Sequence, residues 1–454
     1  MGEKFMRKKA ILALVLVSAM LLSSCALVEK DMAVDNATVI VELGDKTVTK
    51  LQVSNTLEYQ LQYMAYMYSM YGMNYDPTDP TTRAQALDSV ISGLAEELVK
   101  QQKQEELGLT ELTPEEDTAA REKAQTSMDS QKDIVKTQFF ADTKLEGEAL
   151  DAAILKKMEE LGYTFDEYFY KNAKTDAVAE KLRNYIIKDI TVTDDEIKTE
   201  YDTRVEAAKT SYASDLSSYG STVNSNGTVY YAPAGYRYVK HILRKFSDEV
   251  QANLTDLNSK ITAKTTEITN VDTSITGLGE SVAQDDPARV QLNEQKAALE
   301  KEKADLQAQY DKALADAYAV LQPSVDEVLG KIAAGEDFDA LMATYGEDPG
   351  MQTSPQKETG YAVCEGFTPF DPAFTSAAMI LKNVGDVSPA IHGQSGIHII
   401  KYVSDIAEGA VALDKVKESI SSELLTTKQD DTYNTQITTW VEESGVKTYK
   451  DRMN

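Results

Sequence analysis

Val239-Lys240-His241-Ile242-Leu243 and Ser395-Gly396-Ile397-His398-Ile399-Ile400 are the two stretches whose reading decides the fold. Each sets a histidine among β-branched and aliphatic residues, the composition of a buried strand. The chain has three histidines in 454 residues, His241, His392 and His398. Two of them therefore sit in runs that would pair as neighbouring strands. Between the runs come a helical segment, then Tyr-Gly-Glu-Asp-Pro-Gly (345–350), then the aromatic cluster Phe367, Phe370 and Phe374.

This order resembles the parvulin family of peptidyl-prolyl isomerases. His241, in His-Ile-Leu, matches the family's first histidine, and His398, in Gly-Ile-His-Ile-Ile, the second. Gly-Glu-Asp-Phe at 335–338 matches a helix start, and Gly385-Asp386-Val387-Ser388 the turn before the last strand. The resemblance covers 236–246 and 323–402. It implies catalytic roles for His241, Asp348, His398 and Ser395, with the two histidines hydrogen-bonded across the sheet. It also implies a proline pocket walled by Phe370, Phe374 and Met379. One run departs from the family: Lys357-Glu358-Thr359-Gly360-Tyr361-Ala362 keeps only a glycine and an aromatic of the usual Gly-Asp-Leu-Gly-Trp-Phe.

The chemistry asks for such a kit. Rotation about an Xaa–Pro amide crosses a barrier of roughly 18–20 kcal/mol set by resonance in the C–N bond. No bond to carbon breaks, so no metal or redox cofactor is needed. A catalyst must hold the proline ring in an apolar pocket and favour the twisted amide by hydrogen bonds and low dielectric. Other chemistries find less support. Histidines, cysteines and carboxylates show no metal-ligand spacing. No nucleophile elbow surrounds Ser395, no phosphate-cradling loop is present, and Cys364 reads as a small buried residue.

At the start, Lys4, Arg7, Lys8 and Lys9 precede an apolar run, Ala10–Leu22, too short for a bilayer core of about 30 Å. Leu22-Ser23-Ser24-Cys25 then reads as a lipobox, with residues 1–24 as signal peptide and Cys25 as the lipidated terminus. The alternative is an ordinary secretory signal with a chance cysteine. A lipid anchor would place the chain on the outer face of a cell membrane. Cys364 is the other cysteine, so no intrachain disulfide forms once Cys25 is lipidated. A net charge of −28 argues against nucleic acid and against adsorption to anionic lipid.

The expected class is α+β. Residues 25–36 read as a tether and 37–235 as a helical domain resembling the chaperone domain of SurA/PrsA-type foldases. There Thr38–Leu43 reads as a strand, Thr47 or Thr49 as a helix cap, and Thr113-Pro114 and Thr193-Asp194 as further helix starts. Ser211–Ala234 reads as a linker. Tyr59–Tyr75 alternates tyrosine and methionine on every face of a helix, which suits either a core or adaptable contact with apolar clients. Residues 236–402 form the parvulin-like domain and 403–454 two helices, which in that family pack on the chaperone domain.

Inside the isomerase segment lies an insertion, 247–322. Val250, Leu254, Leu257, Ile261, Lys264, Ile268, Val271, Ile275 and Leu278 follow the 4–3 spacing of a heptad seam. A turn at 279–287 leads into a return helix carrying Leu292, Leu299, Leu306, Tyr310, Ala313, Ala317 and Val320, which Pro323 should end. The pattern predicts an antiparallel helical hairpin that serves as a spacer, a dimerisation or client arm, or a buttress. Three functions follow: a membrane-anchored foldase and isomerase acting on unfolded secreted proteins, a holdase with an inactive isomerase domain, or a coiled-coil assembly lipoprotein. A homodimer is a candidate assembly for any of them.

Overall fold

The structure, a computed structural model, describes residues 31–453 apart from 280, 282 and 368. The signal segment and the lipidation expected at Cys25 lie outside the described residues. The chain divides into two compact units: one ends at Thr191 and resumes at Leu425, and the other is Val192–Leu424. The architecture is α+β.

In the first unit α1 (Met32–Asn36) leads into β1 (Val39–Leu43) and β2 (Lys46–Thr49), an antiparallel pair joined through Gly44 at φ +61°. α2 (Lys50–Met70) starts at Thr49, which forms a capping box with Gln52. α3 (Pro80–Glu106) starts at Asp79 with proline at its first position, and α4 (Pro114–Phe139) at a second box of Thr113 and Glu116. α5 (Gly147–Glu160), a π-helical turn at Phe165–Tyr170 and α6 (Lys171–Ile187) follow. Val53, Leu57 and Leu61, one turn apart on α2, bury against β1 and the apolar face of α3. The opposite face is bare: Tyr59 is 72 % exposed, Tyr66 62 % and Met70 65 %. The tyrosine–methionine stretch is thus largely surface rather than core.

The second unit opens with α7 (Asp194–Ser214), α8 (Leu216–Asn224) and β3 (Tyr231–Ala232). The expected boundary at 235 is therefore displaced to 191. Ser211–Ala234 is not a linker: Tyr219 on α8 is buried against Tyr236, rings 4.7 Å apart, and anchors the segment to the core that follows. β4 (Arg237–Lys245) comes next, then the hairpin helices α9 (Asp248–Gly277) and α10 (Pro287–Ala333). After α11 (Phe338–Tyr345), α12 (Gln356–Thr359), β5 (Tyr361–Val363), α13 (Pro372–Ile380), β6 (Ile391–Gly393), β7 (Gly396–Asp405) and β8 (Gly409–Ala410) complete the unit. α14 (Leu413–Ser444) is one helix where two were expected, since no glycine or proline interrupts it. The division between units falls within it. Its second half returns to the first unit, where β9 (Lys447–Thr448) pairs with β1.

The second unit's main sheet runs β5-β4-β7-β6, antiparallel throughout. Alternation along β4 and β7 gives it two different faces. Ile242, Ile397 and Ile399 point to one face and pack on Val325 and Val328 of α10 and Phe338, Leu341 and Met342 of α11. Val239 and Ile400 point to the other, against Phe374 and Ala378 of α13 and the α8 anchor. His241 and His398 lie on this second face.

The hairpin pairs α9 with α10, burying Leu254, Leu257, Ile261 and Val271 along the seam. Lys264, the polar break, bridges to Glu302 at 2.9 Å and Glu267 at 3.0 Å. Pro323 does not end the return helix but sits inside α10. Val325 and Val328, fully buried beyond it, hold the helix together despite a cost of about 3 kcal/mol for an internal proline. Val320 is correspondingly off the seam, at 79 % exposure.

Candidate active site

The register places His241 opposite Ile400 and Leu243 opposite His398. The two histidines are diagonal neighbours on one face, within reach of each other. Their Nδ1 atoms lie 3.0 Å apart and the rings stack at 5.2 Å. His241 Nε2 meets Asp348 Oδ2 at 2.7 Å. Asp348 sits on the loop after α11, which is fastened to the end of β4: Glu347 N–H donates to the Leu243 carbonyl at 2.9 Å, and Lys245 N–H to the Glu347 carboxylate at 2.8 Å. Tyr361 O–H and Gly350 N–H also donate to Asp348, at 3.0 and 3.1 Å.

Burial alone would raise the Asp348 carboxyl, but the bonds from His241, Tyr361 and Gly350 hold it below the usual carboxylate range. Burial, with Asp348 alongside, raises the Tyr361 hydroxyl. His398 is pushed down to about 4, first by burial and then by its neighbour His241, so its ring is neutral near pH 7. An ionised carboxylate can only accept, so His241 donates to Asp348 from Nε2. His398 Nε2 is buried, and no group among the described residues bonds to it. Beyond it stands Asp371. A Cβ on Gly393 would lie 2.7 Å from His398 Nε2 and 2.8 Å from Asp371 Oδ2, so a larger residue there would have to push both groups aside.

Aromatic rings wall the site. Phe374 meets His241 edge-on at 5.0 Å, Phe370 lies 5.7 Å from Phe374, and Tyr361 lies 5.0 Å from Phe370. Together with Leu243, Asp348, Asp371, Ser395 and His398 these rings line an open cleft of about 250 Å³. A cleft of about 300 Å³ in the first unit is walled instead by Lys100, Gln101, Gln104 and Lys174, with no histidine. The second unit's cleft is where the chemistry gathers.

Six of the seven expected side chains line this cleft: His241, Asp348, Phe370, Phe374, Ser395 and His398. Met379 does not. It is five residues beyond Phe374 on α13, about 140° around the helix, and packs into the core behind the wall. Tyr361 and Asp371 were not expected. Tyr361 is the aromatic that survives in the altered 357–362 run. The preceding Gly360, at φ +85°, lets the chain pass β4 where a Cβ would lie 2.4 Å from the Val239 carbonyl. Asp371 reads from sequence as the cap of α13, and it does accept from Ala373 N–H at 2.8 Å. Cys364 is buried, its thiol raised by burial. Among the described residues no group of three or more histidine, cysteine or acidic side chains is placed to hold a metal.

The histidine pair and carboxylate under an aromatic cleft, on a four-stranded antiparallel sheet, are consistent with the parvulin resemblance. In sequence the chain is PrsA-like. It is 32% identical over 130 residues to the foldase protein PrsA of Clostridium botulinum, which is 28% of this chain and 37% of that protein. It is also 32% identical over 133 residues to foldase protein PrsA 2 of Listeria innocua, 26% of this chain and 44% of that protein. The alignments thus span less than half of either relative. No protein-family model matches the chain. Among solved structures, PrsA from Bacillus subtilis aligns with TM-score 0.21 and 18% identity over 90% of this chain and 92% of that one. A SurA-like chaperone of Campylobacter jejuni aligns with TM-score 0.25 and 13% identity over 90% and 100%. At such scores the fold assignment rests on the elements described above.

Proposed function

We propose that the second unit is a peptidyl-prolyl cis–trans isomerase and that the whole chain is a foldase for unfolded, newly secreted proteins. The observation that carries this reading is the Asp348–His241–His398 chain beneath the walls of Phe370, Phe374 and Tyr361. The rings and Leu243 would take the proline ring and exclude water. Amide planarity depends on a resonance form with negative charge on oxygen. A cleft whose charged groups are Asp348 and Asp371 disfavours that form nearby and so favours the twisted state. His241, backed by His398, holds Asp348 in place. The Ser395 side chain completes the polar rim of the cleft.

The first unit would act as the chaperone body. Support comes from the exposed tyrosines and methionines of α2, whose pliable and amphiphilic side chains suit varied apolar segments. Lipidation at Cys25 would hold the protein on the outer face of the membrane. Among the described residues no helix is long and apolar enough to cross one.

The test is NMR exchange spectroscopy on short Xaa–Pro peptides with varied Xaa. The parent should accelerate exchange, and His241→Ala and Asp348→Ala should lower kcat/KM by about tenfold or more, as expected for loss of oriented groups. No acceleration for any peptide would leave a chaperone with a parvulin-like fold. Suppressed aggregation of an unfolded client, lost when Tyr59, Tyr66 and Tyr71 become serine, would support that chaperone role separately.

A further inference from the structure

The inserted hairpin meets the turn beside the cleft through Tyr318. Tyr318 lies near the base of α10. Its ring stacks on His392, centroids 4.0 Å apart and planes 13° from parallel, and leans on Phe246 at 5.3 Å. Its hydroxyl donates to the Gly393 carbonyl at 2.9 Å. His392 and Gly393 are the end of β6, a three-residue edge strand, and Gln394 and Ser395 turn the chain into β7. The turn has two further ties: Phe246 N–H donates to the Ser395 carbonyl at 2.9 Å, and Gln394 N–H to the Asp371 carboxylate. Gly393 faces Tyr318 with its carbonyl. With its Cα it faces His398 Nε2 and Asp371 Oδ2, at the spacing where a Cβ would meet both within 3 Å.

We propose that Tyr318 is a positioning residue of the cleft, through which the inserted hairpin holds the β6–β7 turn and so sets His398, Asp371 and Ser395. The inference rests on the isomerase reading. Tyr318 is not among the cleft-lining residues and acts only through the turn. A short edge strand has few bonds of its own, so the turn's place depends on what is packed outside it. On the inside, His398 Nε2 and Asp371 Oδ2 both crowd the Cα side of Gly393, and in a cleft of this kind a misplacement of about 1 Å costs on the order of a hundredfold in rate. The third histidine, which the catalytic chain does not use, has its role here as the surface on which Tyr318 stacks.

The test compares the full chain with Tyr318→Phe, Tyr318→Leu and Val328→Ala. Val328 is fully buried on the same helix and packs on the face of the sheet opposite the cleft, in the core that Tyr318 borders, but it has no bond to the turn. Tyr318→Phe keeps the stack and loses the bond to Gly393. It should lower kcat/KM by roughly threefold, and Tyr318→Leu by roughly tenfold, mostly in kcat with KM little changed. The His398 ring signals in ¹⁵N NMR should move in both. Val328→Ala should lower the melting temperature yet leave kcat/KM and those signals in place. A folded Tyr318→Leu protein with unchanged kcat and unchanged His398 signals overturns the proposal. So does an equal loss in Val328→Ala, which would make the effect one of stability. If the parent itself shows no exchange activity, the isomerase reading fails, and the His398 signals alone decide whether Tyr318 positions the turn.

Discussion

His398 is buried and Asp348 half-buried, and both are held away from their ordinary pKa values, but acid acts on them in separate windows. His398 is lowered to about 4. A depressed histidine stabilises the fold above its unfolded pKa near 6.5, and that stability is lost as pH falls from about 6.5 to about 4. The shift corresponds to about 3 kcal/mol for this 93 % buried ring. Asp348 is lowered as well, so its contribution is present above about 3.9 and disappears only below that. Urea unfolding of the second unit at pH 7 and pH 4.5 should therefore show a loss that His398→Gln largely removes and Asp348→Asn does not. Equal pH dependence in the His398→Gln protein would contradict the assignment. Gly393 makes a second residue-scale prediction. Gly393→Ala forces a methyl between His398 Nε2 and Asp371 Oδ2. It should lower kcat/KM by about tenfold or more while the circular dichroism spectrum stays native, since the strain falls on two side chains rather than on the strand. Unchanged activity would mean that these groups give way freely.

At the scale of elements, β4 and β7 were readable because burial on both faces writes itself as an apolar run, and the histidines broke that run visibly. The hairpin was readable because a heptad seam has a period of its own. The 211–234 segment was not: its serines, glycines and asparagines give a linker's composition, and anchors such as Tyr219 show their importance only when Tyr236 folds against them. Met379 was misplaced because the resemblance ordered residues along the chain, whereas helix phase decides which face they reach. Asp371 was hidden because a helix cap is a sufficient reason for an aspartate before proline. Pro323 was read as a stop because local propensity says so, and tertiary packing overrode it. That override can be measured. Pro323 is exposed, so Pro323→Ala removes the ring and restores a helix donor without opening a cavity. The second unit should gain about 1–3 kcal/mol, read as a higher urea midpoint at unchanged slope. A loss of stability would show that α10 needs the proline where it crosses from hairpin to core.

At the scale of the molecule, a net charge of −28 surrounds an exposed tyrosine–methionine face, so self-repulsion keeps a surface soluble that would otherwise invite association. The chain also visits its first unit twice, and the second visit is structural. β9 adds the outer strand beside β1, Tyr449 N–H donates to the Ile40 carbonyl at 2.8 Å, and its hydroxyl donates to Glu42 at 3.0 Å. Arg452 donates to the Val39 carbonyl at 3.0 Å, while Trp440, Val441 and Val446 cover the core of β1, α2 and α3. Removing residues 425–454 would strip a strand and a large aromatic from that core. Losing the strand together with the partly buried Trp440, Val441 and Val446 takes a large part of the roughly 5–15 kcal/mol that holds a typical domain. The second unit, 192–424, keeps its sheet, its cleft and its hairpin in such a chain. Truncation after Leu424 should therefore abolish or strongly lower one calorimetric transition. The other transition, the His241 and His398 ring signals and the exchange of Xaa–Pro peptides should all persist. Client aggregation should no longer be suppressed, because the α2 face loses the core that supports it. Simultaneous loss of both transitions would show that the two units fold as one, and that catalysis and client contact cannot be assigned to them separately.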